Sequence, residues 1–154
     1  MKYGNAEQAL TDQINMQWPL QSLATPVIFE NQGFDPNDPA LTEPYPPGGP
    51  WVLVEILWAG ERQISFGGAP GNFFAGQGEL CIHCFVPENT GRGLAATLFD
   101  QVCTIYRGLT LAIGTSGHVR CGGIKPLTGP FHTRKDGAFW DMCAVIDIVY
   151  EDLA

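Results

Sequence analysis

The sequence is poor in charged residues. Only 16% of its 154 residues are charged, against roughly 25% in ordinary soluble domains. Acidic residues outnumber basic ones by 16 to 8, which gives a net charge of −8. Such a chain is a poor match for nucleic acid or an anionic membrane as its main partner. We expect either a surface rich in other polar groups or a subunit that hides part of its surface in an assembly.

Segments that direct a chain into or across a membrane are also missing from the sequence. No stretch approaches the roughly 18 consecutive apolar residues of a membrane-spanning helix, and residues 1–10 lack the apolar core of a signal peptide. We expect synthesis and retention in a cytosol. The five cysteines would then stay reduced, mostly as small buried side chains.

The common motifs of nucleotide-binding and hydrolytic enzymes do not occur. There is no GxxxxGK[ST] phosphate loop, no GxGxxG turn after a strand and no GxSxG elbow. The GRG at 91–93 opens a helix and is more simply a turn than an anion site. The three histidines are scattered, and no cysteine has the helix-start or open-turn context of a reactive thiol. We expect no catalytic residue, no metal and no cofactor.

The stretch ELCIHCFVP, residues 79–87, has two cysteines three positions apart with a histidine between them. This spacing occurs in zinc sites and redox pairs. However, Leu80, Ile82 and Cys84 alternate with the positions between them, which predicts a strand. Because neighbouring positions of a strand point to opposite faces, Cys81 and Cys84 could not bind one metal together. The strand interpretation is therefore preferred.

Apolar periodicity predicts two helices. The first covers residues 5–18, with Asn5 as its cap and Pro19 as its end. Its apolar residues recur every four positions, at Leu10, Ile14 and Trp18. The second covers residues 91–107, with Thr90 before it and Gly108 as its C-terminal cap.

Alternating apolar residues predict the strands, and proline and glycine predict the loops between them. The predicted strands are residues 25–30, 51–58, 79–86, 109–113, 118–124 and the long C-terminal strand 138–150. Residues 31–50 predict an ordered extended loop, with a flexible linker as the alternative. Residues 60–78 carry six glycines and three phenylalanines, which is typical of a hairpin arm or a mobile loop. Residues 125–136 predict a basic loop.

This order of elements predicts one α+β domain spanning residues 1–154. Strands outnumber helices, so we expect a mixed or antiparallel sheet flanked by two helices, one on each side, with long Pro/Gly-rich loops.

The order of several short motifs resembles the tail terminator proteins of long, non-contractile phage tails and of phage-like particles. The matching segments are FENQGF (29–34), PWVLVEIL (50–57), GELCIHCFVPENTG (78–91), YRG (106–108) and DGAFWDMCAVIDIVYED (136–152). They cover roughly residues 25–152 and are structural rather than catalytic. The segments 31–50 and 60–78 do not map onto a definite surface of that family.

The resemblance implies a structural virion protein. Such subunits form a hexameric ring on the last ring of the tail tube, stop its polymerisation and present the surface that joins the head. The partners would be further copies of the chain, the tail tube protein and the head–tail connector proteins, in the neck of a particle assembled in host cytoplasm. The acidic balance suits a channel through which DNA passes without specific binding. No membrane partner is expected.

Two segments would carry the contacts of such a ring. The candidate interface residues are Arg62, Phe66, Phe73 and Phe74 in one segment and Arg134 and Lys135 in the other. The phenylalanines indicate a partner surface if they are exposed, or part of the core if they fold back. Two alternatives stay open: another connector, neck or tail tube subunit, and a small enzyme or binding domain that uses the cysteines and histidines.

Overall fold

Two helices and six strands make up the part of the chain that the computed structural model describes. That part comprises residues 2–21, 25–30, 49–65, 71–87, 91–129 and 139–153. The elements in chain order are α1 (Lys2–Gln21), β1 (Val27–Phe29), β2 (Trp51–Gln63), β3 (Phe73–Pro87), α2 (Arg92–Tyr106), β4 (Thr110–Ile113), β5 (Gly117–Gly129) and β6 (Phe139–Leu153). No helix in these ranges combines the length and the apolar character needed to cross a membrane.

The six strands form one mixed sheet in the order β1-β2-β3-β6-β5-β4. The short β1 runs parallel to β2, and the other neighbouring strands are antiparallel. The two long central strands, β3 and β6, pair over their whole length, from Phe73 opposite Leu153 to Pro87 opposite Phe139. The predicted α+β class with a mixed sheet is confirmed.

Both helices pack on the same face of the sheet, so the expectation of one helix on each side was wrong. One buried cluster joins Leu10 and Ile14 of α1, Leu98 of α2, and alternate residues such as Ile82 and Ile146 of the central strands. The positions between these alternate residues carry several polar side chains on the other face. Only one face is continuously apolar, and a helix needs an apolar face to bury its own stripe.

The first helix extends beyond the predicted residues 5–18 at both ends. Asn5 lies inside α1 rather than capping it, and Pro19 lies inside the last turn rather than ending it. A proline removes one backbone donor, and near the end of a helix this loss affects few remaining hydrogen bonds. The predicted stripe is confirmed, because Leu10, Ile14 and Trp18 are all buried.

The second helix agrees closely with the predicted residues 91–107. Gly91 is its N-terminal flanking residue and provides no side-chain cap, while Thr90 lies outside the described residues. Gly108 has φ +67°, the left-handed conformation that glycine adopts after a helix C-terminus. The hydroxyl of Tyr106 donates a hydrogen bond to the carbonyl of Leu10 at 2.6 Å, which joins the two helices.

The fifth strand continues through residues 125–129, which the sequence predicts as part of a loop. Its register with β6 shifts between Cys121 and Ile124, where Gly122 and Gly123 allow a bulge. Pro126 is tolerated because β4 pairs only with residues 117–120 of β5. Beyond that point β5 is an edge of the sheet as far as the described residues go, and a missing backbone donor at an edge does not break a ladder on both sides.

The β2–β3 hairpin contains most of the arm predicted at residues 60–78. Residues 60–63 extend β2 and residues 73–78 begin β3, so the hairpin alternative is confirmed over the described residues. Gly60 has φ +151° and follows the register shift after Trp58. Nearly all of the loop predicted at 31–50 lies outside the described residues.

Candidate functional site

The predicted interface residues of the first segment lie at the far end of the β2–β3 hairpin. Arg62 of β2 is opposite Ala75, and Phe74 of β3 is opposite Gln63. Phe73 is 43% exposed, whereas Phe74 is half-buried. Because they are neighbours in a strand, these two phenylalanines point to opposite faces and cannot form one surface.

The remaining predicted interface residues cannot be placed. Phe66, Arg134 and Lys135 lie outside the described residues, so their assignment to an interface stays a prediction.

An apolar pair lies near the far end of the described part of the hairpin. The backbone N–H of Ile64 donates to the carbonyl of Phe73 at 2.8 Å, so these two residues are cross-strand neighbours, and Ile64 is 44% exposed. Arg62 lies on the same face as Ile64, two residues before it. We call Arg62, Ile64 and Phe73 the hairpin tip. The sequence analysis missed Ile64, because only its pairing with Phe73 makes it part of this surface.

The hairpin is fixed to the rest of the domain by an aromatic cluster at its middle. The rings of Tyr3, Trp58 and Tyr150 lie 5.0 to 5.5 Å apart, centroid to centroid. The indole N–H of Trp58 donates to Glu7 at 2.8 Å, which links β2 to α1. The hairpin tip therefore extends from a segment that is packed against the rest of the domain.

A pocket of about 340 Å³ lies on the face of the sheet opposite the helices, and it is distinct from the hairpin tip. Its lining comes from four neighbouring strands: Glu55, Glu79, Cys81, His83, Lys125, Leu127, Cys143 and Val145. The register explains the grouping. Glu55, Cys81, Val145 and Lys125 form one cross-strand row, and Leu53, His83, Cys143 and Leu127 form the next.

Two carboxylates hold the imidazole of His83 from both sides. Nδ1 lies 2.7 Å from Asp141 Oδ2, and Nε2 lies 2.9 Å from Glu55 Oε2. Burial alone would lower the pKa of His83, but hydrogen bonds and charge from Asp141 and Glu55 outweigh burial and raise this pKa. Since carboxylates only accept, the geometry suits a doubly protonated, positively charged ring.

Cys81 and Cys143 form a thiol pair beside this ring. Cys81 is opposite Val145 and Cys143 is opposite His83, so the two cysteines are diagonal neighbours on adjacent strands. They form a small buried cluster with Val145. Cys143 Sγ lies 3.8 Å from His83 Nε2.

The two thiols have opposite acidities. The hydrogen bond from Cys143 is the largest influence on Cys81 and lowers its pKa; burial opposes this change, and the charge of His83 supports it. The same hydrogen bond, together with burial, raises the pKa of Cys143. Cys81 is therefore the thiol that more readily becomes a thiolate, which is the nucleophilic form of cysteine.

Of the other three cysteines, two lie in apolar surroundings, and Cys103 lies near Arg107. Cys84 and Cys121 belong to the core between sheet and helices, and Cys103 is buried in α2. Burial raises the pKa of all three, that of Cys121 to about 11. All five cysteines are free and buried, as the sequence analysis predicted, and Cys81 and Cys84 do face opposite sides.

The pocket offers thiol and proton chemistry rather than an evident metal centre. Among the described residues, no three histidine, cysteine or acidic side chains are arranged to hold a metal ion. Sequence reasoning noticed Cys81 and His83 but assigned them no role. Cys143 and Asp141 lie about 60 positions away along the chain, and nothing local in the sequence indicates that β6 brings them to β3.

Comparisons with known proteins establish a shared fold and no family. No family model matches the chain, and no curated protein matches it. Seventeen chains of solved structures do match, so the fold occurs in other proteins. One of them, whose name indicates no function, superposes with a TM-score of 0.59 at 16% identity and covers 100% of this chain and 97% of that chain. At that identity the likeness shows the fold alone.

Proposed function

We propose that this protein is the tail terminator of a phage or phage-like particle. In this role six copies form a ring on the end of the tail tube, stop its polymerisation and present the surface to which head–tail connector proteins attach. The ring acts in the neck of the virion, after assembly in host cytoplasm, and has no catalytic task. The family is proposed from the sequence resemblance, and the hairpin tip is proposed as a surface for assembly.

The observation that best supports this proposal is the exposed outer half of β2. The first residues of β2 are mostly buried, but residues 59–64 are all exposed. Within the described residues, β1 pairs only with residues 52–54 of β2, so the outer edge of β2 beyond them has no neighbouring strand. An open edge that ends in an apolar pair is suited to pairing with another chain.

A closed ring needs two different patches on every subunit. The hairpin tip is one candidate patch. Beyond Cys121, whose N–H donates to the carbonyl of Leu109, the outer edge of β5 has no neighbouring strand among the described residues, and Leu127 on it is 46% exposed. The net charge of −8 disfavours tight binding of DNA in the channel, because phosphate binding is carried mainly by basic side chains.

The first experiment is deletion of the gene from its parent phage or element, followed by electron microscopy of the particles. Overlong tails without heads are expected, because the stop signal for polymerisation is gone. Tails of normal length that fail to join heads would indicate a neck connector instead. Absent tails would indicate a tube or initiation component, and unchanged infectious particles would contradict the structural role.

The hairpin tip is tested with the double substitution Ile64→Ser and Phe73→Ser. Ring assembly, measured by analytical ultracentrifugation with purified tail tubes, is expected to be lost while the thermal melting temperature stays near that of the wild type. Met16→Ser is the matched control, since Met16 is 63% exposed but lies in α1, away from the hairpin. Assembly by the double variant, or equal loss in the control, would exclude the tip as the interface.

A further inference from the structure

The pocket on the helix-free face contains a feature that a structural ring does not require. Two thiols from different strands pack in one small buried cluster, beside a histidine that is held between two carboxylates. A buried ion cluster of this kind is costly to desolvate, and an apolar face would be simpler to fold. A chemical role separate from ring assembly would explain why the thiol pair lies in this pocket.

We propose that Cys81 and Cys143 form a peroxide-reactive thiol pair, in which Cys81 is oxidised first and Cys143 then closes a cross-strand disulfide. The substrate class is a small hydroperoxide, with hydrogen peroxide as the simplest member. This inference is independent of the proposed tail role, because the pocket and the hairpin tip are separate. Phe73 and Cys81 are eight positions apart in β3, roughly 26 Å along a strand.

The reaction balances without any group that the pocket lacks. The Cys81 thiolate attacks one peroxide oxygen, the O–O bond breaks, and hydroxide leaves, so that Cys81 becomes a sulfenic acid. The Cys143 thiol then gives up its proton and attacks the Cys81 sulfur. The S–O bond breaks, and the departing hydroxide takes that proton and leaves as water. Two thiols are oxidised to one disulfide, and the peroxide is reduced to two waters once the first hydroxide is protonated.

The surroundings assign the first step to Cys81. Cys143 donates a hydrogen bond to it, and the charge of His83 favours its thiolate. Both cysteines line the pocket of about 340 Å³, and Cys81 is the more accessible of the two, at 8% exposed against 2% for Cys143. A neutral reagent little larger than water can enter such a space, whereas a bulky or charged oxidant meets Glu55 and Glu79.

The assignment of Cys143 as the resolving thiol follows from proximity. Cys143 shares a small buried cluster with Cys81, while Cys84 points to the opposite face and belongs to a different buried cluster. Diagonal neighbours lie farther apart than directly opposite ones, so the strands must shift slightly to close the bond. A bond formed under such strain is readily reduced, and the oxidation is therefore reversible by a thiol reductant.

The test treats the folded wild-type protein with hydrogen peroxide and follows intact mass and peptide mapping. The expected product has lost two hydrogens and carries a Cys81–Cys143 disulfide that dithiothreitol reverses. Within the same molecule, Cys84, Cys103 and Cys121 serve as internal controls. Cys81 is expected to react at least about tenfold faster than any of them, since thiolate character sets the rate.

Two variants separate the steps. In Cys143→Ser the reaction should stop at the sulfenic acid of Cys81, detected as one added oxygen and trapped by dimedone. In Cys84→Ser the disulfide should form as in the wild type. Three outcomes would each overturn the proposal. They are equal oxidation of Cys84, Cys103 and Cys121, a Cys81 product that leaves Cys143 unmodified in the wild type, and no reaction until the protein is unfolded.

The role of His83 is one of positioning and charge. His83→Gln removes the positive charge beside Cys81 and should slow its oxidation several-fold without abolishing closure of the disulfide. The circular dichroism spectrum and the melting curve show whether this variant is folded. An unchanged rate in a folded His83→Gln protein would show that the histidine only holds the sheet together.

Discussion

The two faces of the sheet are built from the same strands, but their side chains differ in polarity. The face under the helices is a continuous apolar core in which Leu80, Ile82 and Ile146 are fully buried. The other face has the Asp141–His83 pair and two thiols that share one small buried cluster. Cys84 and Cys81, three positions apart, show the contrast most directly: one is a small core side chain and the other is part of a reactive pair. The face of the sheet to which a cysteine points, rather than its spacing from another cysteine in the sequence, determines its chemistry.

The largest expected effect comes from removing core volume on the helix-covered face. Ile146→Ala should lower the free energy of unfolding by about 2–5 kcal/mol, because lost burial and an unfilled cavity both contribute. Urea denaturation measures the change. The control on the other face is Leu57→Ala, expected to change stability by less than about 0.5 kcal/mol. Similar losses in both variants would mean that the two faces do not differ as described.

A smaller effect is expected from the polar cluster on the helix-free face. His83→Gln should cost about 1–3 kcal/mol near neutral pH or below, because Asp141 and Glu55 lose a charged donor. The pKa of His83 is raised above its ordinary value of 6.5. Its stabilising contribution is therefore fully present below that value and is lost as the pH rises through the higher folded-state pKa.

The measurement for His83 is the unfolding free energy of wild type and variant across that range of pH. The gap between them should be largest on the acidic side of the ordinary histidine pKa and should shrink in alkaline buffer. His118→Gln is the control, because the His118–Glu151 pair is partly exposed and should contribute little. A gap that widens with rising pH would show that His83 is neutral in the folded protein.

The β2–β3 hairpin can be destabilised by a substitution of Gly76 on the helix-covered face of the sheet. A β-carbon at this position would collide with the ring of Tyr150, whose hydroxyl donates to Glu61. Gly76→Ala should therefore destabilise by about 1–3 kcal/mol through overpacking. Gly93→Ala is the control, because nothing lies near its added carbon and alanine favours a helix. If Gly76→Ala is neutral by urea denaturation, the ring of Tyr150 is not confined there.

The smallest effect is expected at the rim of the helix-free face. Arg120 contacts Glu151 at 2.6 Å, but the arginine side chain is 53% exposed. Arg120→Ala should cost less than about 1 kcal/mol, because solvent and salt screen exposed ion pairs. The loss should diminish further at high salt in the same urea experiment. A salt-independent loss of several kcal/mol would show instead that this pair contributes as much to stability as the buried interactions of His83.

Local pattern was enough to predict the class and most elements. The stripe Leu10, Ile14 and Trp18 and the alternation around Leu80 and Ile82 are short-range signals, and both are confirmed. Boundaries were less predictable where proline or glycine occurs inside an element. Pro19 and Pro126 lie inside a helix and a strand because each removes only one backbone donor, the first in the last turn of a helix and the second in a strand at a sheet edge.

The candidate sites were predicted only in part. Arg62 and Phe73 are exposed, which is one of the two alternatives that the sequence left open, but Phe74 faces the other way, and Ile64 lies beside Phe73. The thiol pocket was not predicted, since it needs the long-range register of β3 with β6. A single-residue slip in that register would turn Cys143 and Asp141 to the helix side and separate them from His83.

The sequence by itself determined which positions are apolar, where helices and strands form, and that Cys81 and Cys84 point to opposite faces. These properties follow from periods of two and 3.6 residues within single segments. Only the tertiary structure decided that both helices cover one face, that Ile64 and Phe73 lie side by side in one hairpin, and that Cys143 and Asp141 meet His83 and Cys81. Those outcomes depend on pairing between distant segments, which is fixed by the burial of a whole face rather than by any local pattern.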